Sequence, residues 1–263
     1  MTNLIRNLGN MSKSGLLDNS FTATKFIEDK LRNENLLKKA RIHPLSILTA
    51  LNTYSSGQGI KGSGSWNVNE KITASLDDAF YLTFQNVEPT NKRILIGLDV
   101  SGSMDHGEIS GMAGMTPRVA SAALSMIFYR TENNCDIVGF QKELLPLNIT
   151  KTNSLKQVIK KISNLPFGGT DCALPMIYAF TNKKEYDTFI IITDNETWAG
   201  NIHPSQALKQ YRERMNINAK LIVIGMTSTN FSIADPNDPG MLDIVGFDTS
   251  CPVVMNDFIL DKI

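Results

Sequence analysis

The chain has 263 residues, of which 42% are hydrophobic, and its 26 Lys and Arg balance its 26 Asp and Glu. No apolar run approaches the roughly 20 residues that a membrane-spanning helix needs, and the first residues lack the features of a secretory signal. The three cysteines are an odd number without a CxxC spacing, which argues against a disulfide framework or a zinc site. We therefore expect a cytoplasmic or nuclear protein.

The charges are divided unevenly along the chain. Residues 1–93 carry 12 Lys and Arg against 8 Asp and Glu, which leaves 14 against 18 for residues 94–263. Two interpretations fit this division. It arises by chance, or a basic part faces a polyanion and an acidic part handles a cation.

The first ninety residues predict α-helices. Apolar side chains recur at three- and four-residue spacings through "FTATKFIEDKLRNENLLKKARIHPLSILTALNTY", where Pro44 suits the first turn of a helix. A loop rich in Gly and Ser separates this stretch from a further predicted helix in "NVNEKITASLDDAFYLTF". Antiparallel helix pairs with short turns are typical of helical-repeat proteins, although no internal period is evident here.

From residue 91 onward, short apolar runs alternate with amphipathic stretches. This alternation indicates the α/β class, with an open, mostly parallel sheet and helices on both faces. Ligands of such folds bind at the carboxyl ends of the strands, beside the topological switch point. We predict strands at 93–99, 135–140, 187–194, 220–226 and 252–255, with a weak edge strand in "ELLPLN". We predict helices at 116–131, in "NSLKQVIKKISNL", from about 173, at 204–215 and briefly after 238.

Three predicted loops carry polar side chains that converge on one edge of this sheet. Two of them follow apolar strands, and their carboxylates and hydroxyls would repel or lack partners if they stood alone. A hard divalent cation such as Mg²⁺ resolves both problems, whereas the alternative interpretation is that these side chains only cap loops and helices. Asp171 and Glu196 are interpreted as capping or outer-sphere groups. The loops are Asp99-Val100-Ser101-Gly102-Ser103, Gly168-Gly169-Thr170-Asp171 and Thr193-Asp194-Asn195-Glu196.

The set resembles the metal-ion-dependent adhesion site of von Willebrand factor A domains. The matching elements are Asp-x-Ser-x-Ser after the first strand, a Thr in a Gly-rich loop and an Asp that ends a later strand. The resemblance implies that Ser101, Ser103 and Thr170 bind Mg²⁺ or another divalent cation directly. It implies that Asp99 and Asp194 bind the cation partly through water. It also implies an open coordination position for the carboxylate of a protein ligand.

Longer segments of both parts carry a second resemblance. They are "NLLKKARIHPLSILTAL", "FQNVEPTNKRILIGLDVSGSM", "GGTDCALPMI", "TDNETWAG" and "AKLIVIGMTSTNFSIADPNDPGMLDIVGFDT". Together they resemble the Ro (SS-A) autoantigen family, whose module is shared by telomerase, Ro and vault proteins. The resemblance implies that residues 1–90 are the end of a helical-repeat ring and that residues 91–263 are the A domain.

The same resemblance implies an RNA-binding ribonucleoprotein component. Family members bind small noncoding Y RNAs on the basic outer surface of the ring and thread the 3′ ends of misfolded RNAs through its cavity, for RNA quality control. This chain begins where only the last helices of the ring remain, so most RNA-contacting residues of the family have no counterpart in it. Lys38, Lys39 and Arg41 form a basic cluster, interpreted either as a phosphate contact or as a solvated helix face.

Three classes of function compete. The leading hypothesis is the RNA-binding component with a Mg²⁺-holding A domain, and the second is a protein-interaction module that captures an acidic ligand at the metal. A metal-dependent hydrolase is disfavoured, because the sequence has neither a Gly-x-Ser-x-Gly elbow nor an Asp-x-Asp motif, and no His is placed as a general base. We therefore expect a monomeric protein that is not an enzyme and does not bind membranes.

Overall fold

The computed structural model describes residues 1–59, 64–109, 114–163, 165, 168–194, 197, 199–227, 232–246 and 248–263. The chain divides into two compact units, which we call the helical unit (Met1–Glu88) and the sheet unit (Pro89–Ile263). Across the described ranges, no helix is both long and apolar enough to cross a membrane.

Side chains at the helix starts define the helical unit. Ser20, Asn33, His43 and Asn69 each accept a hydrogen bond from a backbone N–H in the first turn of the following helix. The predicted start at Pro44 is confirmed, and the stretch before it forms two helices, because Asn33 caps a new helix. The helices are α1 (Thr2–Arg6), α2 (Leu8–Lys13), α3 (Leu16–Asn19), α4 (Phe21–Leu31), α5 (Glu34–Lys39), α6 (Pro44–Ser55) and α7 (Glu70–Leu82), followed by a 3₁₀ turn at Thr83–Asn86.

A buried tyrosine links three elements of the helical unit. The Tyr54 hydroxyl lies 2.7 Å from the Ser12 hydroxyl and accepts a hydrogen bond of 3.2 Å from the backbone N–H of Asn69. It therefore joins α2, α6 and the start of α7. Leu45 of α6 and Phe80 of α7 are fully buried beneath this polar contact. The helical unit thus has an apolar core of its own.

The sheet unit alternates strands and helices, and the predicted fold class is confirmed. The described strands form one six-stranded sheet in the order β3-β2-β1-β4-β5-β6, parallel except for β3. The strands are β1 (Arg93–Asp99), β2 (Asn134–Phe140), β3 (Leu144–Leu145), β4 (Thr188–Thr193), β5 (Lys220–Gly225) and β6 (Met241–Val245). The helices are α8 (Pro117–Thr131), α9 (Leu155–Ile162), α10 (Leu174–Thr181), α11 (Pro204–Met215) and α12 (Cys251–Ile259), with a 3₁₀ turn at Gly102–Asp105.

The centre of the sheet is dry and closely packed. All of β4 is buried, and β1 is buried apart from its first residue. A Cβ atom on Gly97 would lie 2.7 Å from Cγ of Pro175 and 2.9 Å from Cδ1 of Ile191. Only glycine therefore lets α10 approach the sheet this closely. Continuous apolar runs such as "TFIIIT" predicted this burial on both faces.

Two predictions near the end of the chain are wrong. The expected helix after Asp238 is replaced by a turn that leads into β6, because the Asp238 carboxylate accepts from Gly240 N and pairs with Arg212. The strand predicted at 252–255 lies inside α12, where Pro252 occupies the first turn. Val253 and Val254, whose apolar character suggested a strand, face solvent.

A buried carboxylate accepts hydrogen bonds from the backbone at the start of the sheet unit. Glu132 is 1% exposed and follows the last turn of α8. Its two carboxylate oxygens accept from Thr90 N at 2.7 Å and from Asn91 N at 3.0 Å. Glu132 therefore satisfies two backbone donors just before β1 begins.

Replacement of Glu132 by Gln should destabilise the sheet unit by about 1–3 kcal/mol. The amide keeps one acceptor oxygen but turns an N–H group toward the second backbone donor, which then loses its partner. Urea unfolding of the chain measures the change, and E143Q, at an exposed glutamate, is the matched control. Equal stability of the two variants would contradict the role assigned to Glu132.

A half-buried histidine begins α6. The Nδ1 atom of His43 accepts from Leu45 N at 3.2 Å, and its buried Nε2 atom has no hydrogen-bond partner among the described residues. Burial lowers the pKa of His43 from its ordinary value of 6.5 to about 4. His203 begins α11 in the same way, before Pro204, but is exposed.

The stability that His43 contributes should be complete above pH 6.5 and lost as the pH falls toward 4, since only the unfolded chain takes up the proton readily. At pH 5 this loss is on the order of 1–2 kcal/mol. We expect the free energy of unfolding, measured in urea, to fall less between pH 7 and pH 5 for H43N than for the unmodified chain. H43N keeps a hydrogen-bond acceptor at the helix start. H203N is the control and should leave the pH dependence unchanged; an unaltered drop in H43N would count against the assignment.

Candidate functional site

The candidate site lies where β1 and β4 end side by side. These parallel neighbours pair from Ile94 with Thr188 to Leu98 with Ile192, so their carboxyl ends meet at one edge of the sheet. The chain leaves β1 toward β2 on one side and later returns to β4 on the other, which makes this edge the topological switch point. Asp99 ends β1 there, and Asp194 directly follows β4.

Asp99 is held by both strands. Its side chain has no exposed surface. One carboxylate oxygen accepts from Ser101 N at 2.9 Å, and the other accepts from the Thr193 hydroxyl at 2.6 Å. The first bond tightens the loop after β1, and the second joins that loop to the end of β4.

The pKa of Asp99 is raised to about 6, chiefly because burial disfavours its charged form. The hydrogen bonds from Ser101 and Thr193 oppose this rise, while the nearby Asp194 charge adds to it. A buried carboxylate with a second one beside it is an unfavourable arrangement for the protein alone. A cation at this position would reverse the balance and favour both charged forms.

Two serine hydroxyls come together in the loop after β1. Ser101 Oγ and Ser103 Oγ are 3.0 Å apart. Ser101 directly precedes the 3₁₀ turn at Gly102–Asp105, and Ser103 lies within it. Ser101 is buried whereas Ser103 is exposed. The two hydroxyl oxygens therefore point to a common region that opens from the buried Asp99 toward solvent.

The end of β4 supplies the next two groups. The Thr193 hydroxyl, besides its bond to Asp99, lies 3.4 Å from a carboxylate oxygen of Asp194. Asp194 is half-buried, and its backbone carbonyl accepts from the Thr227 hydroxyl at 3.1 Å. Thr193 thus stands between the two carboxylates. Glu196, predicted as an outer group, lies outside the described residues.

Thr170 lies in a loop that is fixed at both ends. Thr170 is 5% exposed, and its carbonyl accepts from the Thr197 hydroxyl at 3.1 Å and from Ala199 N at 3.0 Å. The N–H of the next residue, Asp171, donates to the carbonyl of Gln141 at the end of β2. The predicted capping role of Asp171 agrees with its carboxylate accepting from Ala173 N at 3.0 Å, just before α10.

The structure brings four of the five predicted ligands into one hydrogen-bonded group. Ser103 contacts Ser101, and Ser101 donates to Asp99. The Thr193 hydroxyl lies between the carboxylates of Asp99 and Asp194. Within the described ranges, no hydrogen bond joins the Thr170 hydroxyl to this group, although its loop is close. Burial and the charges of Asp99 and Asp194 raise the pKa of the Cys172 thiol, two residues after Thr170.

The donor set suits a hard divalent cation. It consists of carboxylate and hydroxyl oxygens, which Mg²⁺ prefers, and the groups come from loops anchored on adjacent strands. Among the described residues, no cluster of three or more His, Cys, Asp and Glu side chains is placed to hold a metal ion. The candidate set therefore depends on its hydroxyl groups.

Sequence reasoning missed two residues of this region. Thr193 bridges the two carboxylates, and the only sequence signal for it was a hydroxyl directly before Asp194 at the end of a strand. Arg118, the second residue of α8, donates to the backbone carbonyl of Ser101 at 2.7 Å. An arginine just after a helix start gives no sequence signal for this contact, since the partner loop lies 17 residues earlier.

The basic cluster belongs to the helical unit. Lys38 and Lys39 occupy the last turn of α5, and Arg41 follows with a left-handed φ of 48°. All three side chains are exposed, and none forms an ion pair with a described residue. Their charges also lie at the negative end of the α5 dipole, so both interpretations of the cluster stay consistent with the structure.

Comparisons with known proteins give one answer for both units. Residues 93–259 match the Ro60 vWA domain, and residues 1–56 match the TROVE domain. The chain is 46% identical over 98% of its length to a protein of Deinococcus radiodurans named RNA-binding protein RO60, covering 49% of that protein. It is 44% identical over its whole length to the protein of the same name from Caenorhabditis elegans, covering 40%.

A solved structure shows the same architecture. The crystal structure of the Deinococcus radiodurans RO (RSR) protein superposes with a TM-score of 0.94 at 44% identity, over all of this chain and 53% of that one. The chain thus spans about half the length, or less, of the relatives that it matches. It belongs to the Ro60 family, with a Ro60 vWA domain preceded by a segment that matches the TROVE domain.

Proposed function

We propose that this chain is an RNA-binding component of a Ro-type ribonucleoprotein. The observation that carries the proposal is the match, over 98% and 100% of the chain, to two relatives named RNA-binding protein RO60. The RNAs that the family resemblance suggests are small structured Y RNAs and misfolded RNAs, with RNA quality control as the role. The protein acts by holding RNA and not by catalysis.

The exposed basic cluster supports an RNA contact in the helical unit. Lys38, Lys39 and Arg41 present three cationic groups within one turn, free of ion pairs with the described residues. Such groups bind phosphates and release counterions, so their contribution falls as the salt concentration rises. Arg41 can also hold a phosphate through two parallel hydrogen bonds.

Replacement of Lys38, Lys39 and Arg41 by Ala should weaken RNA binding about 10-fold at low salt. It should also reduce the slope of log K against the logarithm of the salt concentration by about 2–3. Electrophoretic mobility shifts at several salt concentrations measure both quantities. The control replaces three exposed lysines of the sheet unit, Lys142, Lys156 and Lys160. Identical losses in the two triple variants would mean that the cluster is only a solvated helix face.

The class of RNA is tested with two probes of equal length. One is a small RNA with a double-stranded stem, as in Y RNAs, and the other is an unstructured RNA with a free 3′ end. The proposal expects the 263-residue chain to bind the structured probe more tightly, because the basic cluster is an exposed surface patch. No measurable binding of either probe would contradict RNA binding by this chain.

We infer a second function for the sheet unit, a divalent-metal site that captures an acidic protein ligand. It is favoured by the convergence of Asp99, Ser101, Ser103 and Asp194 at the switch point, with Thr170 in the adjoining loop. These five residues would hold Mg²⁺, and the ion would supply a Lewis-acidic position for a carboxylate. A Glu-rich peptide should bind in Mg²⁺ and be released by EDTA, while RNA binding is unchanged.

Mg²⁺ should raise the thermal unfolding temperature of the unmodified chain and leave that of D99N unchanged. In EDTA, D99N should be the more stable protein at pH 7, because it lacks the buried charge whose pKa burial raises. Thermal unfolding with Mg²⁺ and with EDTA gives both comparisons. D243N, at an exposed position on β6, is the control. An equal Mg²⁺ shift in D99N and the unmodified chain would refute the site.

A further inference from the structure

Arg118 is a deeply buried arginine of the sheet unit. It is 3% exposed, and each guanidinium nitrogen has a partner. Nε and Nη2 donate to the two carboxylate oxygens of Asp105 at 2.5 and 2.8 Å. Nη2 also donates to the carbonyl of Ser101 at 2.7 Å, and Nη1 to the carbonyl of Ile162 at 2.7 Å.

These bonds connect the loop after β1, which carries candidate ligands, to the end of α9. Ser101 and Asp105 belong to that loop, so the guanidinium holds it at both ends of the 3₁₀ turn. Ile162 is the last residue of α9. One rigid, planar side chain on α8 therefore fixes this loop relative to two helices.

The charge of Arg118 does not account for its position. A cationic group near a cation site opposes metal binding by Coulomb repulsion, and burial of an isolated guanidinium is strongly unfavourable. Asp105 offsets both effects by pairing with two of its nitrogens. What remains is geometry: four hydrogen bonds hold the backbone carbonyls of Ser101 and Ile162 and the carboxylate of Asp105.

We propose that Arg118 is a positioning residue of the candidate metal site, which sets the Ser101 and Ser103 hydroxyls in ligand geometry. The inference rests on the proposed Mg²⁺ site. Partners one step removed from a metal typically change its affinity about 10- to 100-fold when they are lost. Arg118 acts in this way through the Ser101 carbonyl and the Asp105 carboxylate, and not through contact with the ion.

The test is the affinity of the full chain for Mg²⁺ alone, measured by isothermal titration calorimetry at a temperature where circular dichroism shows each variant folded. R118M should weaken Mg²⁺ binding about 10-fold or more, although it removes a positive charge. R118K keeps that charge but lacks the planar fork, so its affinity should recover only in part.

Arg212 offers a matched control at the opposite edge of the sheet. Its guanidinium also joins a carboxylate and a carbonyl, those of Asp238 and Ala219, at 2.5 and 2.7 Å. R212M should lower thermal stability in EDTA and leave Mg²⁺ affinity unchanged. A general effect of losing an arginine that is hydrogen-bonded to a carboxylate and a carbonyl is thereby separated from an effect on the metal site.

Each outcome has a distinct meaning. Weaker Mg²⁺ binding in R118M and R118K, with R212M unchanged, supports the positioning role. Mg²⁺ binding as tight as, or tighter than, that of the unmodified chain in either Arg118 variant overturns it. If R118M does not fold, R118K decides alone. Absence of Mg²⁺ binding by the unmodified chain refutes the metal site itself, which is a different result.

Discussion

One buried carboxylate, at the point where the two central strands of the sheet unit end, organises the groups of the candidate site. Asp99 has no exposed surface, and it accepts hydrogen bonds from the loop that follows its own strand and from Thr193 of the neighbouring strand. The same contacts that satisfy this carboxylate draw Ser101, Ser103 and Asp194 toward it. One set of hydrogen bonds therefore both satisfies the buried carboxylate and gathers the groups of the proposed cation site.

The sheet and its switch point could be predicted because short, continuous apolar runs that alternate with helices are typical of strands buried on both faces. Prediction failed at β6 and α12, where short segments have mixed polarity and the outcome depends on long-range partners. Asp238 forms a turn because Arg212 pairs with it, and Pro252 begins a helix. The Arg212 contact is not visible as a local pattern. The signal of Pro252 for a helix start, by contrast, was outweighed by the apolar Val253 and Val254.

The candidate ligands could be predicted from spacing, but the groups that hold them could not. Asp99, Ser101 and Ser103 stand at alternate positions, and Asp194 follows an apolar strand, so sequence alone marks them. Arg118 is 17 residues away from its partner carbonyl, and Thr193 is 94 residues away from Asp99. Contacts between residues so far apart in the chain depend on the fold as a whole, and no local spacing in the sequence indicates them. The basic cluster of Lys38, Lys39 and Arg41 could be predicted, because an exposed side chain requires no long-range partner.

The two outer strands of the described sheet carry features that oppose edge-to-edge pairing. β3 has only two residues and is followed by the exposed Pro146, which cannot donate a hydrogen bond to an added strand. β6 directs the charged, exposed Asp243 outward, although Val245 beside it is half exposed. Both outer strands therefore discourage edge-to-edge pairing between copies, and this effect is weaker at β6 than at β3. Changes that remove Pro146 or Asp243 would act on solubility and refolding yield more than on the stability of the folded chain.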